Sequence, residues 1–513
     1  MMKQFYRILI AATLFVGVSF SSISQRYLQE VFTDVTVDTT IVYGVNATIL
    51  YYPFLNQAVP EQLLMDVYHP TGDTVTERPL ILYFHTGNFL PHPQNQSPSG
   101  TRKDLNVIEM CSRLARMGYV VASCDYRLGW NPVATTQDER VKSLINAAYR
   151  GVQDCRTAIR YFRKSEAEMS NPYRIDPDRI CVWGQGTGGY IAFASATLDN
   201  YSDILIPKFT SVDTLTGNPV PMVIEFVNGD IYGTSVGFVP PTQDTLCYPN
   251  HVGYSSDFNV MVNMGGALGD SSWLDASDIP MISFHSPTDP FAPYYIGTVI
   301  VPGVNLPVVE VSGSGHAQEM AATLGLNSSF TSIEPAQDPY SMQANMYNNG
   351  NYGLYPLNRP VGQEADSAPW EWWTSDNPNN QSGLLTNPDM SETKGMTYLD
   401  SIQGYVAPRL MCALGLPGAP CDSPANVFSN NDKNNSAISV YPNPADQFVN
   451  IRWNNDHNQK TMIQCFDLTG KLVFMANMIG KTLSVDTSML ESGTYILQVS
   501  NGTISQRTML VRN

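Results

Sequence analysis

Four five-residue apolar runs constrain this chain most: Leu80 to Phe84, Gly118 to Ala122, Arg179 to Trp183 and Pro280 to Phe284. Runs so short and so uniformly apolar suit strands buried on both faces. Between the second and third, Val141, Leu144, Ile145, Ala148, Val152, Cys155, Ile159 and Phe162 recur at three- and four-residue spacings, which predicts an amphipathic helix. Strands alternating with helices predict an α/β domain whose mostly parallel sheet carries helices on both faces. Ahead of them, Val31 to Tyr52 alternates apolar and polar residues, as half-buried antiparallel strands do.

The 513 residues exceed what one core organises, so at least two domains are expected. A hydrophobic fraction of 43% argues against a mostly disordered chain. The net charge of -17 argues against a nucleic-acid partner, because phosphate would be repelled. Residues 1–24 read as a secretory signal: Lys3 and Arg7 start it, Ile8 to Phe20 is apolar, and Ser22 and Ser24 mark cleavage before Gln25. No later run approaches the ~20 apolar residues of a membrane helix, so none is predicted. Of the eight cysteines, Cys412 and Cys421 bracket a Gly/Pro-containing loop and are the first pair to expect bonded. Cys124 and Cys181 fit buried thiols equally well. No Cys/His spacing suits zinc, and neither a metal nor another cofactor is expected.

Residues 25–421 are read as the first domain. Within it, 335–388 turns to Asn, Gly, Tyr, Pro and Trp without periodicity and is read as an insertion outside the core. Leu399 to Leu414 resumes a helical pattern, and 422–436 is polar linker. From 437 to 513, short alternating runs at 438–441, 448–453, 462–466, 471–475, 495–499 and 508–511 predict a small all-β, immunoglobulin-like sandwich. Val440-Tyr441-Pro442-Asn443-Pro444, Phe466-Asp467-Leu468-Thr469-Gly470-Lys471, Ser492-Gly493-Thr494-Tyr495 and the basic Arg512 resemble the C-terminal sorting domain of type IX secretion. That resemblance implies dealings with the type IX machinery and export through the periplasm, leaving the protein secreted or on the cell surface.

The run Val182-Trp183-Gly184-Gln185-Gly186-Thr187-Gly188-Gly189 follows a predicted strand and opens a predicted helix. It has the flanking glycines, Gly184 and Gly188, of the pattern Gly-x-Ser-x-Gly, but Gly186 stands where the serine nucleophile belongs. Glycine has no side-chain atom with which to attack a carbonyl. With Leu63 to Pro70, the Asp125-Tyr126-Arg127-Leu128 turn and the loops below, residues 63–414 resemble the α/β-hydrolase fold in its carboxylesterase and hormone-sensitive-lipase-like branches.

Residue by residue, the resemblance implies the following. His85-Thr86-Gly87-Asn88-Phe89 is similar to the His-Gly-Gly-Gly-Phe loop, so Gly87 and Asn88 join Thr187 as backbone donors of an oxyanion hole, although Thr86 and Asn88 depart from glycine. Asp289 is carried over as triad acid from Phe284 to Tyr294, and His316 as general base from Ser312-Gly313-Ser314-Gly315-His316. Asp289 would then hold the tautomer of His316. Asp125 and Arg127 are expected to brace loops, and the Thr187 hydroxyl to turn away from the cleft.

Two readings follow. One is an exported carboxylesterase-like protein, one oxygen atom short of a site, with little or no serine-esterase activity and a cleft that binds a small ester or related molecule. The other is a carboxylic-ester hydrolase that uses His316-activated water or a non-standard nucleophile. Pro369-Trp370-Glu371-Trp372-Trp373 would be a lid, an aromatic platform, or packing against the main domain.

Overall fold

The computed structural model describes residues 26–421 and 438–512, apart from 93, 214, 302–304, 334–337, 358–365, 442, 446, 454–460, 468–470, 479–481 and 501–504. The expected signal at 1–24 and linker at 422–436 lie outside the described residues, as do Pro442 and 468–470 of the sorting motifs. The chain divides into two compact units after Cys421.

The first unit is built on an eight-stranded sheet: β1 (Val35–Thr48), β2 (Val59–Pro70), β3 (Arg78–Phe84), β4 (Val120–Cys124), β5 (Ile175–Gln185), β6 (Val260–Met264), β7 (Met281–His285) and β8 (Leu354–Pro356). Their order is β1-β2-β4-β3-β5-β6-β7-β8. β2 pairs antiparallel with β1 and β4, and every pairing from β4 through β8 is parallel. Alternate residues of the central strands β3 to β7 feed two separate cores, because successive side chains point to opposite faces. Leu80, Leu82 and Phe84 enter one core, and Ile81 and Tyr83 the other.

Helix α2 (Gln137–Glu168) covers the first face with Val152, Cys155, Ile159 and Phe162, and its N-terminus is fixed by a reciprocal capping box between Thr136 and Glu139. α1 (Leu105–Arg116) and α5 (Glu392–Ala413) cover the other. This is the α/β-hydrolase arrangement, a mostly parallel sheet between helices.

The segment 335–388 proves not to be wholly an insertion. Its residues Leu354–Pro356 are β8, the edge strand of the sheet, with Ser283, Phe284 and His285 of β7 opposite Leu354, Tyr355 and Pro356. Three residues are too few to display a period, so the composition around them dominates the reading. Strand Pro307–Gly313, by contrast, lies outside the large sheet: it pairs antiparallel with Ile296–Ile300 and Ala267–Leu268.

Cys412 and Cys421 form a disulfide at the end of α5, and Cys124 and Cys181 are buried thiols. Closing a loop of 9 residues is worth about 2 to 3 kcal/mol by the chain-entropy estimate. Replacing both cysteines by alanine should lower the unfolding free energy by about that amount in urea.

In the second unit, strands Ile438–Tyr441, Phe448–Trp453 and Thr482–Asp486 form one sheet. Strands Leu472–Met478, Thr461–Phe466, Gly493–Ser500 and Ser505–Arg512 form the other. Val449, Ile451, Ile463, Cys465, Leu497 and Val499 share a buried core. Thr482–Asp486 is not among the expected strands, because its two apolar residues give a weak alternation.

Candidate functional site

β5 runs straight into helix α3 (Thr187–Thr197) through Gly186, whose φ of 54° and ψ of -116° suit a tight strand-to-helix turn. The close approach of chain on either side excludes side chains. A Cβ on Gly184 would lie 2.0 Å from the Gly188 carbonyl oxygen, and one on Gly188 would lie 2.0 Å from that of Phe84. The Gly186 N–H donates to Met264 O at 2.7 Å, tying the turn to β6.

The space beside Gly186 is not empty. A Cβ built there falls 2.1 Å from Thr86 Oγ1 and 2.8 Å from Thr86 Cβ. Thr86 thus holds the volume into which a serine at 186 would project. The expectation of a site short of one oxygen atom is corrected: the room for that side chain is missing as well.

Gly87 (φ 131°) and Asn88 (φ 58°) follow Thr86 in the loop after β3. Thr86, Asn88, Gly186 and Thr187 line one cavity. The Thr187 hydroxyl is hydrogen-bonded to Tyr126 Oη at 2.8 Å, and Tyr126 Oη also lies 3.0 Å from the His85 carbonyl oxygen. Asp125 braces this loop through Arg102 and His85. Burial works to raise its pKa, but hydrogen bonding and charge from His85, together with Arg102, hold it below the usual carboxylate range.

Asp289 follows β7, as expected, and lines the same cavity. Its Oδ1 accepts from the N–H groups of Phe291 and Ala292, and its Oδ2 lies 3.6 Å from Nε2 of His285. None of these contacts is to His316. His316 is on helix α4 (Ser314–Thr323), where its Nδ1 lies 3.1 Å from Ser312 Oγ. The strand before His316 belongs to the antiparallel hairpin and not to the large parallel sheet. Among the described residues, no histidine lines the cavity.

The residue that does enter the site after β8 is Glu371. It is 7% exposed, and its Oε1 accepts from Gln185 Nε2 at 2.6 Å. Gln185, the residue before Gly186, is itself fixed by Tyr83 Oη and Asn106 Nδ2, both donating to its Oε1. Burial, aided by the charges of Asp104 and Asp366, lifts the Glu371 carboxyl to about 7 against hydrogen bonds from Ser99 and Gln185. The sequence reading treated Pro369 to Trp373 as lid, platform or packing. Trp370 and Trp372 do pack in the core, while Trp370 and Trp373 also line the cavity. The acidic residue between Pro-Trp and Trp-Trp was the one signal available for its role.

Because its folded pKa is raised, Glu371 binds its proton more tightly in the folded protein. Its contribution is therefore neutral below about pH 4.5 and increasingly unfavourable as pH rises to about 7. Glu371→Gln should lose less stability than wild type over that interval, by about 3 kcal/mol at pH 8, as read from urea unfolding.

The cavity, about 270 Å³, is walled mainly by apolar side chains such as Val141, Leu144, Ile145, Trp130, Trp273 and Val311. It sits just below the roughly 300 Å³ at which ordinary ligand pockets begin, which favours small molecules.

Residues 65–228 match the family described as BD-FAE, and residues 439–512 match the secretion system C-terminal sorting domain. No curated protein matches the sequence. Among solved structures, a thermophilic esterase from the Planctomycetes species Thermogutta terrifontis, bound to propionate, is 15% identical over 68% of this chain and 92% of its own, with a TM-score of 0.31. A truncated carbohydrate esterase from gut microbiota is 15% identical over 73% of this chain and 98% of its own, with a TM-score of 0.31. The α/β hydrolase MGS-M1 from a Medee basin deep-sea metagenome library is 14% identical over 51% and 73%, with a TM-score of 0.26. Among the described residues no helix is long and apolar enough to cross a membrane. The chain thus joins an esterase-like α/β-hydrolase domain carrying the BD-FAE match to a type IX secretion C-terminal sorting domain, and it is an exported, secreted or cell-surface protein.

Proposed function

We propose that the exported esterase-like domain binds a small ligand in the cavity beside Gly186 and has little or no ordinary serine-esterase activity. The observation that carries this reading is the pairing of Gly186 with Thr86: the turn offers no nucleophile, and the Thr86 hydroxyl fills the space one would need. The absence of a histidine from the described lining of the cavity adds to it, since an acyl-enzyme mechanism needs a base beside the nucleophile. Asn88 and Thr187, as backbone donors at the cavity wall, then serve to orient a ligand oxygen instead of an oxyanion.

Glu371 favours a second reading, in which its carboxylate takes a proton from water that attacks an ester carbonyl. A pKa near the working pH suits a general base. Short-chain aryl ester turnover by wild type, His316→Ala and Glu371→Gln separates the readings. Binding without catalysis predicts background rates for all three. Wild-type turnover that is lost in Glu371→Gln, with a pH profile rising through about 7, supports the water mechanism. Turnover lost in His316→Ala would restore the Asp289–His316 base.

A further inference from the structure

The cavity beside Gly186 has an unbalanced sign of charge. Its charged lining residues, among those described, are Asp289 and Glu371; no lysine, arginine or histidine lines it. The two carboxyls are in different circumstances. Asp289 is bonded to two backbone N–H groups and lies beside His285. Glu371 has a neutral amide, Gln185, and a neutral hydroxyl, Ser99, as hydrogen-bond partners. The other groups whose charge reaches it, Asp104 and Asp366, are acidic, although Lys394 pairs with Asp366 at 2.8 Å. Tyr83, from β3, meets Glu371 through the shared Gln185 amide.

An anion entering here would meet like charge in a mostly apolar enclosure, where such repulsion is weakly screened. A cation would meet the opposite, in a cavity that Trp130 and Trp373 also line. We propose that the cavity takes a small apolar molecule, one or two rings in size, carrying a single cationic nitrogen that sits against Glu371.

This deepens the ligand-binding reading and rests on it for the site. Only the ionised carboxylate attracts the cation, so binding and ionisation of Glu371 are linked. Affinity is highest above about pH 7 and falls as Glu371 is protonated, before the amine itself titrates.

The test is calorimetric titration of the full chain with three probes of equal shape: 3-phenylpropylamine, 3-phenylpropanol and 3-phenylpropanoate. At pH 8 the amine is expected to bind about 10-fold or more tightly than the alcohol, and the carboxylate weakest. From pH 8 to pH 6 the amine's affinity should fall about 10-fold while the alcohol's stays level. Glu371→Gln should bring amine and alcohol together and remove the pH dependence. Equal affinities for amine and carboxylate, a carboxylate preference, or no binding of any probe at millimolar concentration overturns the proposal. The wild-type series decides this even if the variant folds poorly. Acetate-ester hydrolysis in the same preparation is scored separately: turnover with amine selectivity sinks the non-catalytic reading alone, and absence of both sinks the charge assignment alone.

Discussion

Gly186→Ser is expected to yield no esterase and to destabilise the first unit by about 1 to 3 kcal/mol, the usual cost of forcing atoms into a filled site. The new Cβ would stand 2.1 Å from Thr86 Oγ1 and 2.8 Å from Thr86 Cβ. Rotating the threonine hydroxyl relieves the first contact and leaves the second, so the loop after β3 must shift. Removing the obstruction as well, in Thr86→Gly with Gly186→Ser, should recover the part of that loss due to the clash, while the φ of 54° at position 186 leaves a residual strain for any side chain. The pair would then be strongly non-additive, as contacting positions are. Even the double variant is expected to hydrolyse p-nitrophenyl acetate no faster than its parent, since no described histidine lines the cavity to take the serine proton. Additive stabilities, or turnover by Gly186→Ser alone, would contradict the account.

The largest loss of stability is expected from Asp154→Ala. Arg127 and Asp154 are fully buried and meet at 2.9 Å, and Asp154 Oδ2 also accepts the Arg127 backbone N–H at 2.8 Å. Arg150 is nearby and buried; burial and the positive charge of Arg127 lower its pKa to about 9, while Asp154 opposes them. Removing Asp154 would leave two cations in the interior without their ion-pair partner, Glu61 being the other acid that feels the charge of Arg127. Breaking a buried pair from one side costs about 3 to 5 kcal/mol, a large share of the roughly 5 to 15 kcal/mol by which domains are stable. Urea unfolding should show a much lower midpoint, or the variant should fail to accumulate in soluble form. A loss under about 1 kcal/mol would mean that Arg127 is satisfied by Gln153 and nearby carbonyls without its carboxylate.

The centre of the sheet was legible because four of its strands carry short apolar runs and α2 repeats at helical spacing over many turns. The loop-bracing roles of Asp125 and Arg127 were also legible, since both lie directly after β4. The site was harder to read for two physical reasons. First, whether Pro307–Gly313 pairs within the large sheet or outside it is decided by its partners, and its own apolar residues look the same either way. The Ser-Gly-Ser-Gly-His sequence therefore carries no sign that it follows a hairpin strand and not a strand of the large sheet. β8 was hidden for the opposite reason, being three residues long amid Asn, Gly and Pro. Second, Thr86 and Gly186 are neighbours in space but a hundred positions apart. Each was visible as a separate departure from its pattern, a threonine where glycine is usual and a glycine where serine is usual. Only the fold shows that the two side-chain volumes compensate.

A cavity beside Gly186 that holds a ligand and forms no acyl-enzyme leaves a fluorophosphonate probe without a target. Intact-mass analysis of the wild-type protein after prolonged exposure to a fluorophosphonate probe tests it most directly. An unchanged mass and no burst of product in the first turnover of an aryl ester are expected. Addition of one phosphonyl group, mapped by peptide sequencing to Thr86 or Thr187, would contradict it.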